Sequence, residues 1–398
     1  MTNPDLAALV TCRELSLDDF ARCRAALSAV NLDLRGLRVL AAAEAGFAER
    51  LRTRILPAVV RYGAIATLHT PALPPHREGA SARTVLPRAV AAGWVARVVL
   101  GNLGPRGHEL PVVDAAPLLA TTAPQELAKL RCVLAYFDCI ADAPPPGMLE
   151  IVRLAGAGHD WERDATPLAP CEVDAVGAIE DADHHIHVDF ANEYLGGGVL
   201  TGGCVQEEIR FAVAPELLAA MLVSPRMGAF EAIRVHGSER FSTTTGYAFS
   251  LGYGGAFRDP CARLADGTPD VTVAAIDAID YRRRGPASQY TVAAIRRELD
   301  KARIGFWRDA AMRPIATGNW GCGAFLGDPA QKAIIQWLAA SAEGRAVRYF
   351  TFGDRRLGDL AGFVARATTQ LRTVGAVAHR LLTLSGASGP ALYDRLLA

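Results

Sequence analysis

The chain has 398 residues, 51% hydrophobic and 21% charged, enough to bury a large core and fill two domains. Lys+Arg and Asp+Glu both total 42, so no basic excess points to general nucleic-acid binding, and any anionic ligand has to be met locally. Eight scattered cysteines with no Cys-x-x-Cys pair, a start unlike a signal peptide, and no apolar run of about 18 residues set the expectation of a cytosolic protein with reduced thiols and no membrane span.

Ser16-Leu17-Asp18-Asp19 has the form of a capping box ahead of the apolar series Phe20, Cys23, Leu27, which predicts a first helix. Residues 38–56, rich in Ala, Leu and Arg, predict another that runs up to Pro57. Pro71, Pro74, Pro75 and His76 mark a loop over 71–76. A further helix takes Pro124 in its first turn and carries Leu127, Leu130, Leu134 and Phe137. Pro144-Pro145-Pro146-Gly147 stops it and divides the chain into a helical accessory domain, 1–145, and a second domain, 146–398. Only three of the 42 basic residues are lysines, at 129, 301 and 332.

After that boundary short β-rich runs alternate with helical patterns. Strands are expected at 173–179, 184–190, 231–236, 271–279, 313–317 and 346–352, and helices at 206–221, 289–305, 328–342, 358–370 and 373–384. The alternation predicts an α/β layered domain with a mixed sheet. Ligands of such sheets sit at strand ends. Three expected strands run into unusual loops: Asp189–Asn192 leads to Gly196-Gly197-Gly198, Ala316 to Gly318-Asn319-Trp320-Gly321-Cys322-Gly323, and Tyr349–Phe352 to Gly353-Asp354.

Gly196-Gly197-Gly198 and Gly202-Gly203 bracket a loop ending in Gln206-Glu207-Glu208. Glycines let backbone N–H groups approach an anion or sugar closely. Spacing alone equally allows a flexible turn with two acids at a solvated helix start. Gly318–Gly323 and the helix after it offer amides for a diphosphate, or else a tight turn with Trp320 in the core. It lacks both the Lys-Ser/Thr ending of a P-loop and the spacing of a dinucleotide fold. Of His184-His185-x-His187, at most His185 and His187 share a strand face, which fits a polar strand edge better than a metal site. Phe350 and Phe352 lie on one side of a strand, as core or as a base-stacking pair. Arg282-Arg283-Arg284 reads as a solvated run.

Taken in order, these segments resemble poly(ADP-ribose) glycohydrolases. That family's signature is Gly-Gly-Gly, six to eight residues, then Gln-Glu-Glu; here it stands as GGGVLTGGCVQEE with seven between. VDFANEYLGGGV, EEIRF, GSERF…TGYA, AIDAIDYRR, RRELDKARIGF, ATGNWGCGAFLGD and YFTFGD follow family order, and KLRCVLAYFDCI is similar to the last accessory helix of longer, eukaryotic-like members. The resemblance covers about residues 120–360. It implies a macrodomain, an α/β/α sandwich around a mixed sheet, preceded by an N-terminal all-helical accessory domain.

The resemblance also implies roles. Glu208 corresponds to the catalytic glutamate. Glu207 and Asn192 match residues that hold the hydroxyls of the ribose being cleaved, with Asp189 shaping that site and Gly196, Gly197, Gly198 and Gln206 completing the loop. Glu180 matches, across a one-residue gap, the residue that hydrogen-bonds adenine. Gly318, Asn319, Trp320, Gly321, Cys322 and Gly323 match the diphosphate loop, Phe325 the aromatic that orients the distal ribose, Phe352 the one near the adenosine end, and Tyr247 a tyrosine reaching over the ligand. Where many animal members carry tyrosines, this chain has Phe241 and Thr244.

The implied activity is hydrolysis of ribose–ribose bonds in poly(ADP-ribose), releasing ADP-ribose, with a part in the DNA damage response. ADP-ribosylated proteins are the expected partners. No cofactor, metal, nucleic acid or membrane is expected, and the chain is expected to act as a monomer. Glu208, its pKa raised by a closed pocket, is to protonate the leaving oxygen and then take a proton from water. Side chains of adjacent residues diverge, so Glu207 is expected to position and not to flank the same bond. The rival readings are an ADP-ribose-binding macrodomain reader and an enzyme removing single ADP-ribose units from proteins.

Overall fold

The computed structural model describes residues 11–28, 33–44, 46–69, 74–103, 107, 109–384 and 388–398. Ser16 and Asp19 form the expected reciprocal cap: Asp19 N–H donates to Ser16 Oγ at 3.1 Å, and Ser16 N–H to Asp19 at 2.9 Å. α1 (Leu17–Ser28) follows and buries Phe20 and Cys23. The single helix expected over 38–56 is instead divided. α2 (Arg35–Ala43) ends before Gly46, whose φ of 75° turns the chain into α3 (Phe47–Arg50). A π turn at Leu51–Ile55 then runs into α4 (Leu56–His69), so the chain stays helical through Pro57. The wider turn accommodates the proline ring and the hydrogen bond it cannot donate. Of the loop expected over 71–76, residues 71–73 lie outside the described residues, and Pro74 to His76 carry no regular structure.

The region before residue 145 is not all helix, a correction to the expected accessory domain. β1 (Ala82–Pro87) pairs antiparallel with β2 (Met148–Ala155), Ala82 opposite Arg153 and Pro87 opposite Met148. The main sheet therefore begins ahead of the proline-rich stretch. Pro87 is tolerated because an edge strand need not donate on its outer side. α5 (Arg88–Leu100), α6 (Ala116–Ala120) and α7 (Pro124–Cys139) complete the region.

Next in the chain are β3 (Cys171–Asp174), β4 (Ile186–Asp189), α8 (Gln206–Val213), α9 (Leu218–Met221), β5 (Glu231–His236), a hairpin of β6 (Ser242–Thr245) and β7 (Gly252–Ala256), and β8 (Thr272–Ala275). Then come α10 (Tyr281–Arg284), α11 (Val292–Gly305), β9 (Ile315–Thr317), α12 (Pro329–Ala342), β10 (Val347–Phe350), α13 (Leu360–Gln370), α14 (Val374–Thr383) and α15 (Ala391–Leu397). The helix expected over 206–221 breaks at Pro215, where a 3₁₀ turn, Pro215–Leu217, separates α8 from α9.

Apart from the β6–β7 hairpin, the strands form one mixed sheet in the order β1–β2–β5–β8–β4–β9–β10–β3. β1, β2, β5 and β8 pair antiparallel; β8, β4, β9, β10 and β3 pair parallel. Period-two alternation splits the sheet between two cores. Ile233, Val235, Val273 and Ala275 face the N-terminal helices, α8 and α9, whereas Ala232, Ala274, Ile186 and Val188 face α11 to α15. Because β4, β9 and β10 are parallel neighbours, the three unusual loops leave the sheet at the same end.

Candidate active site

The loop between β4 and α8 folds back on the helix start that follows it. Glu207 accepts N–H groups of Asn192 at 2.9 Å and Gly196 at 2.6 Å, and Glu208 accepts those of Gly198 at 2.9 Å and Val205 at 3.0 Å. Gln206 accepts the Phe190 N–H at 2.8 Å and donates to the Val188 carbonyl, tying the loop to its strand. Gly197 adopts φ 50°, and a Cβ there would stand 2.5 Å from Glu208 Oε1 and 2.6 Å from Glu207 Oε2. The two carboxylates therefore converge on one glycine and do not diverge as adjacency alone suggested. Both reach back over the helix N-terminus to amides of the same loop, where negative charge is favoured.

Asp189, at the end of β4, is fully buried, and among the described residues neither of its oxygens has a hydrogen-bond partner. Burial pushes its carboxyl up to about 8, against the pull of the nearby Arg210 guanidinium, with Glu208 and Glu180 adding to the rise. Burial likewise holds Glu207 well above the usual carboxylate range, helped by the charges of Asp189 and Glu208 and opposed by its two amide bonds. No Arg or Lys side chain among the described residues forms an ion pair with Asp189, Glu207 or Glu208. Tyr247 is half-exposed on the turn after β6; burial raises its phenol, the Gln206 backbone opposes this, and the Glu208 charge adds to it, which places the ring beside the acids. Ala248 N–H bonds the Cys204 carbonyl at 3.1 Å, fastening that turn to the glycine loop.

The second loop follows β9. Trp320 is buried, its Nε1–H donating to the Ile276 carbonyl at 2.8 Å, with Lys332 Nζ 3.8 Å from the ring centroid. Of the two readings of this loop, Trp320 is core, and Cys322 is buried beside it. Asn319 is held by Tyr349 Oη–H at 3.0 Å and the Thr351 carbonyl at 3.2 Å. The start of α12 is already occupied: Asp328 accepts the N–H groups of Ala330 at 2.9 Å and Gln331 at 3.3 Å. The helix end expected to help hold a diphosphate is thus capped by the protein's own acid. Loop amides are what remain, and among the described residues those of Gly321, Gly323, Ala324 and Phe325 meet no protein acceptor.

Phe350 is buried, while Phe352 is half-exposed with φ 52°, and the two rings stack at 6.3 Å. The pair thus divides its roles, one ring in the core and one presented at the strand end. A Cβ on Gly318 would meet Phe352 at 2.6 Å, so the second loop lies against the exposed ring. Phe325 is partly buried, with the Arg282 guanidinium 5.4 Å from its ring centroid. Glu180, on the 3₁₀ turn Ile179–Asp181, lines a cavity of about 230 Å³ with His187, Arg210 and Asp259.

The histidine cluster is not a strand edge. β4 lies inside the sheet, and His187 is buried, bonded to the Ala182 carbonyl at 2.9 Å and pushed down to about 3 by burial. His184 and His185 precede the strand. Among the described residues no group of three or more His, Cys, Asp or Glu is placed to hold a metal ion. Arg282 and Arg283 pair with Asp280. Phe241 packs edge-on to Tyr136 at 4.7 Å, in the core beneath the N-terminal helices. Two residues of this region had no role assigned from the sequence: Arg210, buried behind Asp189, and Lys129, which donates to loop carbonyls from α7. Their only signals were a place within EEIRF and the scarcity of lysine.

A family model described as "Poly (ADP-ribose) glycohydrolase (PARG), Macro domain fold" matches residues 158–359. Poly(ADP-ribose) glycohydrolase 1 of Arabidopsis thaliana is 32% identical over 354 residues, covering 69% of this chain and 64% of the relative. Probable poly(ADP-ribose) glycohydrolase 2 of the same plant is 35% identical over 311 residues, covering 65% of this chain and 59% of the relative. A solved poly(ADP-ribose) glycohydrolase from Deinococcus radiodurans in complex with ADP-ribose aligns at 18% identity and a TM-score of 0.35, over 52% of this chain and 88% of that one. The chain spans less than two thirds of the length of these plant relatives. With the macrodomain match covering just over half of the chain and containing both glycine loops and the paired glutamates, the chain belongs to the poly(ADP-ribose) glycohydrolase family.

Proposed function

We propose that the chain hydrolyses ribose–ribose O-glycosidic bonds of poly(ADP-ribose) and releases ADP-ribose, with Glu208 as the acid/base. The observation that carries this reading is the grip of one glycine-rich loop on two buried carboxylates beside a third, Asp189, with no ion pair to any of them among the described residues. Burying acids without a directly paired counter-charge is costly. A domain that only binds ADP-ribose needs the loops and an aromatic platform and gains nothing from that cost.

Cleavage of the bond between an anomeric carbon and a ribose hydroxyl passes through an oxocarbenium-like state, and the departing oxygen needs a proton. Glu208 gives its proton to that oxygen as the bond breaks, then takes one from the water that adds to the anomeric carbon. Glu207 and Asn192 hold the hydroxyls of the ribose undergoing attack, while Gly318–Gly323 carry the diphosphate and Phe325 and Phe352 bracket the sugar and base. Positioning of this kind supplies several powers of ten in rate. The relatives named poly(ADP-ribose) glycohydrolase support the substrate class. A cytosolic location and a part in the DNA damage response belong to the same proposal; all eight cysteines being free thiols is consistent with a reducing compartment.

Glu208→Gln is expected to bind ADP-ribose within about 3-fold of wild type while losing at least about 1,000-fold in release of ADP-ribose from purified polymer. Full turnover in that variant refutes the assignment of Glu208. A wild type that releases ADP-ribose from a mono-modified protein and not from polymer transfers the same acid to the other bond, and one that binds without releasing is a reader.

A further inference from the structure

We propose that Lys129, reaching from α7 into the glycine loop, is a positioning residue for the hydrolysis: its ammonium gathers the carbonyls of Gly198, Thr201 and Gly203 and so fixes the amide that grips Glu208. The inference rests on the glycohydrolase reading above. The side chain is fully buried. Its Nζ donates to Gly198 O at 3.1 Å, Thr201 O at 2.6 Å and, most closely, Gly203 O. A three-donor ammonium thus meets three convergent acceptors from one turn, a geometry the planar guanidinium of Arg does not reproduce. Thr201 N–H and Gly203 N–H also close on Gly198 O, at 2.9 and 3.1 Å, so the loop is wound around the lysine.

The far side of that winding faces the acid. Gly198 N–H bonds Glu208 Oε1 at 2.9 Å, and a Cβ on Gly203 would stand 2.6 Å from the same oxygen. Only backbone therefore separates the ammonium from the carboxylate. The titratable groups that act on Lys129 are Glu208 on α8, Cys204 in the loop and Glu126 on its own helix. When Glu208 has given up its proton, the ammonium behind the loop stabilises the resulting carboxylate without touching substrate. Composition points the same way. Arginine makes up nearly all of the 42 basic residues, and each of the three lysines is fully buried. Lysine is kept where a compact point charge has to fit inside.

The test uses the full chain as Lys129→Met, Lys129→Gln and Lys129→Arg. Readouts are kcat and KM for ADP-ribose release from purified polymer, ADP-ribose affinity by calorimetry, and amide hydrogen-exchange protection over residues 198–205. In Lys129→Met, kcat is expected to fall about 100-fold, the cost of a small misplacement of a catalytic group, while KM and ADP-ribose affinity stay within about 3-fold. Lys129→Gln keeps two donors and falls in between. Lys129→Arg does not rescue, and protection of the loop drops in all three. Should Lys129→Met not fold, the Gln and Arg variants carry the same comparison. Unchanged kcat, rescue by Arg, or undiminished loop protection overturns the proposal. If the wild type releases no ADP-ribose, the glycohydrolase reading fails instead, and loop protection still decides whether Lys129 holds the loop.

Discussion

Asp189 shows how one side chain ties the chemistry of the site to the stability of the molecule. It ends a central parallel strand, is fully buried, has no hydrogen-bond partner among the described residues, and has its carboxyl pushed up to about 8 by burial. An unfolded aspartate gives up its proton near pH 4, so between about pH 4 and 8 the folded chain holds a proton that the unfolded chain has released. Stability must then fall as pH rises through that window. Glu207, pushed up by the same burial, adds to the fall. Asn at 189 carries no titrating proton, so Asp189→Asn is expected to lose a good part of the slope of melting temperature against pH from 5 to 8, with Glu207 supplying what remains. Identical slopes in the two proteins would show that Asp189 is ionised in the folded state and that the buried acid cluster is wrongly described. The lysines make the complementary point. From inside the protein Lys129 and Lys301 donate to backbone carbonyls and Lys332 pairs with the buried Glu298, while the surface cations are arginines.

Among the elements, the glycine loop between β4 and α8 is the one whose shape decides function. Gly197 and Gly202 make a controlled pair within it. A Cβ at Gly197 meets both glutamates and demands φ 50°, whereas at Gly202 the nearest atom is Glu126 Oε1 at 3.6 Å, an ordinary contact. Gly197→Ala is therefore expected to lower polymer turnover at least about 10-fold with a loss of about 1–3 kcal/mol in stability, and Gly202→Ala to leave both near wild type. Equal turnover in the two variants would mean that the carboxylates do not depend on that close approach. The loop, both glutamates and the central strands were legible in the sequence, because β4, β5, β8, β9 and β10 carry apolar residues at least at alternate positions and are followed by glycine or polar turns. Other strands were not. β2 points Arg153 inward, paired with Glu231 at 2.5 Å, which breaks the apolar alternation, and β7 is Gly-Tyr-Gly-Gly-Ala, with few side chains to carry a pattern. The capping of α12 by Asp328 and the convergence of Glu207 with Glu208 were equally hidden, since both depend on how a loop returns to a helix start.

At the scale of the molecule, the proline-rich stretch at 144–147 looks like a boundary in the sequence, yet packing runs straight across it. One core joins Leu37, Phe47, Val95 and Phe137 from the N-terminal helices to Ile151, Ile233, Val235 and Val273 of the sheet. β1 adds an edge strand to that sheet, and Arg88 on α5 pairs in the interior with Glu216 at 2.9 Å and Glu239 at 2.6 Å, both from the segment beyond 146. Removing one partner of such a buried group costs about 3–5 kcal/mol, so separating the two regions would leave charges stranded as well as apolar surface exposed. The N-terminal helices and the sheet are therefore expected to unfold as one unit: urea unfolding followed by circular dichroism gives a single transition, and amides of α5 and β5 exchange with the same limiting free energy. Polymer turnover should persist up to that transition and vanish with it, because the lysine holding the catalytic loop comes from the N-terminal side. An earlier transition confined to α1–α7, with turnover intact beyond it, would make those helices a separate domain and remove the reason for treating the loop and its lysine as one device.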